Sequence, residues 1–153
     1  MEHSEILKSV DKLITMDDLA VTRVESILSV SLIHDEDHST PAYDFFKDIE
    51  HHEESAAKNI KKVEFRSPKE ANKPQFLHIF FKPESGIDSG MIIERYGQPE
   101  AIAVPTPQER FGTGVSAVYS YKINNWEVSF SIGESSDGGV LSVALYGGGG
   151  KAS

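Results

Sequence analysis

The hydrophobic pattern changes period along the chain. Residues 4 to 15 place Ile6, Leu7, Val10, Leu13 and Ile14 along one stripe, the spacing of an amphipathic helix, with Ser4 as the expected N-cap. A second helix is expected from Asp17 or Asp18 to about Leu28, on Leu19, Val21, Val24, Ile27 and Leu28. A third and shorter helix is expected in "DSGMIIERYGQP", 88–99. There Gly97 stands where a left-handed C-terminal residue belongs, and Pro99 blocks continuation.

Elsewhere the period is two. "KVEFRS" (62–67), "FLHIFF" (76–81), "EVSFSI" (127–132) and "VLSVAL" (140–145) carry large apolar residues at every second position, as half-buried strands do. Further strands are expected at 42–47 and 115–123, and "NN" (124–125) and "SSDGG" (135–139) supply hairpin-turn chemistry. The later segments echo the earlier ones. Val24, Leu28 and Ser29 fall on Ile92, Tyr96 and Gly97 at an offset of 68. Val63 and Phe65 fall on Val128 and Phe130 at 65, and Leu77, Ile79 and Phe81 on Leu141, Val143 and Leu145 at 64. Three segments matched in order predict an internal repeat.

The expected product is an α+β fold of two tandem helix-plus-antiparallel-sheet units, with the helices packed on one face of the sheet. An N-terminal helix spans 1–16, the first unit 17–83 and the second 84–146, with a flexible tail at 147–153. Each unit reads as helix, connection and three strands. The connections are 30–41 and the Pro- and Gly-bearing 99–114.

Composition narrows the chemistry. With 153 residues and 39% hydrophobic content, the chain has enough apolar surface for one compact core. It has no cysteine, which removes disulfides, thiolate metal sites and a thiol nucleophile. The net charge of −9 repels phosphate backbones, so nucleic acid is not an expected partner. No apolar run of about 20 residues is present to span a membrane. The acidic start "MEHSEILKSVDKLITMDD" lacks the basic n-region of a secretory signal. A cytoplasmic location is therefore expected, or a periplasmic one if a leader has been removed.

The stretch "HDEDHSTPAYDFFKDIEHHEE", 34–54, holds four of the six histidines. His34 and His38 have helical metal-ligand spacing, but "STP" follows at once and stops any helix, while the adjacent His51 and His52 point in different directions. Two polar connections flanking a short strand account for the stretch better than a metal site. No nucleophile elbow is present, since "GIDSG" (86–90) has Ser89 one place too late. "YGGGGKAS" lacks the first glycine and the following helix of a phosphate loop. No catalytic residue, metal or cofactor is assigned, and the chain reads as a non-enzyme.

Strand parity gives the binding candidates. With Leu77, Ile79 and Phe81 facing the helices, Phe76, His78, Phe80 and Lys82 face away, as do Glu64 and Arg66 on one strand and Glu127, Ser129 and Ser131 on another. Aromatic anchors ringed by polar groups are the composition of a protein-binding surface; the plain alternative is coverage by a loop of the same chain.

Tandem units with a helix ending in Tyr96-Gly97-x-Pro99 resemble, over 17–146, the β-lactamase-inhibitor-protein-like architecture. The first half departs from that motif, with Ser29 for the glycine. Small acidic non-catalytic chains are also similar to bacterial immunity proteins. The resemblance implies inhibition by occlusion: Arg66, Phe76, His78 and Phe80 would contact a toxin, and Asp35, Glu36 and Asp37 would attract a basic one. A cell-envelope binding or assembly module and a His/acid metal binder are the alternatives.

Overall fold

The structure, a computed structural model, describes residues 3–48, 59–70, 73–106, 114–134 and 138–148. The helices are α1 (His3–Ile14), α2 (Val21–Leu28) and α3 (Ser89–Tyr96). The strands are β1 (Leu32–His34), β2 (Tyr43–Asp48), β3 (Ile60–Pro68), β4 (Gln75–Phe81), β5 (Ala101–Ala103), β6 (Val115–Ile123), β7 (Trp126–Gly133) and β8 (Val140–Gly147). They form one antiparallel sheet in the order β1-β2-β3-β4-β8-β7-β6-β5, so the chain is mixed α+β. The order climbs to β4 and descends from β8, which puts those two strands side by side at the middle. Their register pairs Leu77 with Leu145 and Ile79 with Val143.

Alternation explains why these strands bury what they bury. Along β4, Gln75, Leu77, Ile79 and Phe81 are buried, while Phe76, His78 and Phe80 are half-buried. Val63 and Phe65 of β3, Val128 and Phe130 of β7, and Val143 and Leu145 of β8 join Leu77 and Ile79 in one hydrophobic cluster. The same cluster takes Ile6, Val10 and Leu13 from α1, Val24 and Leu28 from α2, and Ile92 from α3.

Four features differ from the expectation. Each half contributes four strands instead of three, because β1 and β5 lie inside the segments read as connections. At three residues apiece they are too short to display a period, and all three residues of β5 are exposed. Leu141, read as inward, is 37% exposed and Val140 is buried in its place. The register between β7 and β8 shifts at Ser131/Ile132, and such a bulge reverses the parity of everything beyond it.

Helix α2 begins at Val21 and not at Asp17 or Asp18. The buried Gln75 side chain accepts from Leu19 N at 2.9 Å and donates to Leu19 O at 2.7 Å, which satisfies that backbone without helical bonds. Strand β8 also continues into Gly147, where the sequence placed the start of a tail. Gly148 packs beyond it with φ +61, and a Cβ there would lie 2.5 Å from the Trp126 ring.

Side-chain hydrogen bonds tie the helices to the sheet. Trp126 Nε1 donates to Met16 O at 2.7 Å, and Asn124 Nδ2 donates to Ile14 O at 3.0 Å. Helix α3 is capped by Asp88, whose carboxylate accepts from Met91 N at 3.0 Å. It meets α1 through Asp11, which accepts from Arg95 Nη2 at 2.6 Å and from the Tyr96 hydroxyl at 2.7 Å. Gly97 has φ +87, and its carbonyl accepts from the Tyr121 hydroxyl at 2.8 Å. Ser29, which matches Gly97 at the 68-residue offset, also adopts a positive φ, +58, as the αL cap of α2. Among the described residues no helix is long and apolar enough to cross a membrane.

Candidate protein-binding face

The strands align the outward residues in rows. Phe45, Arg66, Phe76 and Tyr146 are successive register partners across β2, β3, β4 and β8. The next row is Lys47, Glu64, His78, Ala144 and Ser129, and the one after it sets Lys62 beside Phe80, Ser142 and Ser131. The face is therefore uneven. The β2–β4 side carries rings and cations, whereas β8, β7 and β6 mostly present Ala144, Ser142, Ser129, Ser131 and Ser120. None of these outward residues belongs to the hydrophobic cluster.

Phe76, His78 and Phe80 form a continuous ridge. The His78 ring centroid lies 4.0 Å from that of Phe80 and 5.7 Å from that of Phe76, and its Nε2 is 3.1 Å from Ser142 Oγ. Burial pulls the His78 imidazole below its ordinary range; Glu64 opposes that shift, while Lys62 and Arg66 reinforce it. Lys62 Nζ stands 4.7 Å over the Phe80 ring while also pairing with Glu64 at 3.2 Å. The Arg66 guanidinium lies 5.1 Å from the Phe45 centroid and 5.9 Å from that of Phe76. Among the described residues it forms no ion pair.

The three acidic candidates separate. Asp35 is buried and caps the 3-10 turn Glu36–His38. Its carboxylate is 2.8 Å from His38 Nδ1 and 3.2 Å from Lys47 Nζ. Burial raises its pKa, but the His38 and Lys47 contacts outweigh that and hold it below the usual carboxylate range. Asp35 thus stabilises the turn, while Glu36 and Asp37 remain exposed at the rim.

His34 and His38 do not converge. His34 packs edge-on against Phe46 and His38 tilts against Phe45, consecutive residues of β2 that point to opposite faces. Among the described residues no three His, Cys, Asp or Glu groups come together as metal ligands. His51 and His52 lie outside the described residues.

One cluster has the composition of a hydrolytic relay. His34 Nε2 is 3.1 Å from Asp44 Oδ1 and 3.2 Å from Ser39 Oγ. A relay needs the carboxylate and the hydroxyl on different ring nitrogens; here both meet Nε2. Ser39 Oγ is also committed, donating to Asp35 O at 2.8 Å and accepting from Phe45 N at 3.0 Å. This arrangement braces the β1–β2 connection.

The feature that parity could not show is a cleft of about 440 Å³ at the end of the ridge, between His38, Thr40 and Tyr43 on one side and Pro74, Phe76 and Tyr146 on the other, over Phe45 and Arg66. The sequence signal for its floor was the alternation of β2, which puts Tyr43, Phe45 and Lys47 on one face. Recognising it required the strand order.

Comparison of the chain with protein-family models, with curated proteins and with solved structures finds no match.

Proposed function

We propose that this chain is a non-catalytic protein-binding inhibitor, an immunity-type factor that neutralises a cognate bacterial toxin by laying the outer sheet face over its active site. The observation that carries the reading is the Phe76–His78–Phe80 ridge, half-buried, flanked by Lys62 and Arg66 and bordered by a low floor of serine and alanine. Large rings beside a shallow floor offer anchors and room for a partner's protruding loop. The net charge of −9 steers a basic partner towards the molecule, and Glu36 and Asp37 extend that field at the rim.

Two tandem units, 17–83 and 84–146, with α1 preceding them and the helices on the face opposite the ridge, form the architecture proposed for this role. The matched helix lengths and the strand order mirrored about β4 and β8 support it, and a cytoplasmic setting accompanies it.

The test uses a partner identified by affinity capture from the source cells, whose own activity is assayed with and without this protein. Phe80→Ala should weaken its binding at least tenfold by calorimetry, and Lys8→Ala, on the exposed side of α1, should leave it unchanged. Equal affinity for wild type and Phe80→Ala would place the interface elsewhere.

A further inference from the structure

We infer that the cleft at the end of the ridge is a binding site for a small aromatic carboxylate, the ring lodged between Phe45, Phe76 and Tyr146 and the carboxylate on Arg66. The half-open cleft of about 440 Å³ falls in the range of roughly 300–1,000 Å³ that small-ligand sites occupy. Its walls are rings: Tyr43, Phe45, Phe76 and Tyr146, with Pro74 closing one side. Such surfaces favour a flat apolar body through offset and edge contacts.

The polar contribution is unusually one-sided. None of the lining residues is acidic, although the chain carries 24 Asp and Glu. Arg66 is the lining cation, and it forms no ion pair among the described residues. Its contacts with the Phe45 and Phe76 rings position the guanidinium without consuming its N–H donors. Those donors form a planar fork that matches a carboxylate in two parallel bonds. The phenol hydroxyls of Tyr43 and Tyr146 likewise make no hydrogen bond among the described residues and remain available to an oxygen of the ligand.

The acidic surface elsewhere does not prevent this. The carboxylate of Asp35, beside the lining residue His38, is paired with His38 and Lys47, and exposed charges farther off are screened over about 8 Å at physiological salt. The inference goes beyond the protein-partner reading and shares Arg66 and Phe76 with it, while the anchor Phe80 lies outside the cleft.

The deciding experiment titrates isotope-labelled protein with N-acetyl-L-phenylalanine and, separately, with its uncharged amide, following backbone amide shifts at pH 7.5. Saturable shifts centred on Phe45, Arg66, Phe76 and Tyr146 are expected for the acid, with the amide at least fivefold weaker. Arg66→Gln, a change at an exposed position, should bring the acid down to the amide's affinity while leaving the rest of the spectrum intact. Shifts that fail to saturate, that map elsewhere, or that are equal for acid and amide would overturn the inference and leave the protein-binding reading standing.

Discussion

The imidazole of His78 sits between the Phe76 and Phe80 rings, in register with Glu64 and felt by Lys62 and Arg66. Burial disfavours its cation, so it is held neutral to a lower pH than a free histidine, which titrates near 6.5. As pH falls through about 6.5 the unfolded chain takes up this proton while the folded protein resists it. Stability contributed here is therefore lost as pH falls below 6.5, and the loss stops once pH passes the folded value. Urea unfolding of wild type and His78→Gln at pH 7.5, 6.0 and 5.0 checks this. The stability of wild type relative to the variant should shrink steadily on acidification; a difference independent of pH would remove His78 as the titrating group. His78 also shows what one residue discloses in sequence: parity alone puts it opposite Leu77 and Ile79. Asp35 shows the reverse, since nothing in "HDEDH" reveals that its first carboxylate is buried under Lys47, a residue 12 positions later.

At the scale of elements, long alternating strands were legible and short ones were not. Strand β6 occupies 115–123 as its pattern predicts, and β4 alternates without a break. By contrast, β1 and β5 exist because neighbouring strands offer them partners, a cause that local composition does not record. The bulge that turns Leu141 outward was equally hidden, as it is a shift in the register between β7 and β8. The cleft was hidden because its lining is assembled from residues of β2, β3, β4 and β8. Contacts between helices obey the same rule. Asp11 joins α1 to α3 across 84 positions through two bonds from Arg95, and the Tyr96 hydroxyl adds a third. The hydrogen bonds that Arg95 donates to Asp11 are the main cause that raises the Arg95 pKa, while burial, with the Asp11 contact second, raises that of Tyr96. Because the ion pair is partly exposed, Asp11→Ala should cost about 1–2 kcal/mol, most of it from the Tyr96 hydroxyl left without its acceptor. In a double-mutant cycle, Tyr96→Phe should cost less in the Asp11→Ala background than in wild type. Additive losses would mean that the two groups do not act through one contact.

For the whole molecule, the decisive property is that one hydrophobic cluster draws on all three helices and both halves of the sheet. A core shared in this way unfolds as a unit. Denaturation followed by Trp126 fluorescence, which reports on the β6–β7 end, should coincide with the far-ultraviolet circular dichroism transition. Two separated transitions would mean that the halves are independently stable. The seam also sets the order of events during synthesis. Strand β8 lies at the centre of the sheet yet is the last of the described strands in sequence, and Gln75 must wait for Gly147, 72 positions later, before its register closes. Until that segment leaves the ribosome, one edge of β4 displays unpaired backbone groups, and Leu77 and Ile79 lack their partners. An open edge of this kind is a template for wrong pairing, and a contact this distant in sequence forms slowly. The nascent first half is thus exposed to wrong pairing along β4 in a way that the finished sheet, with β8 in place, is not.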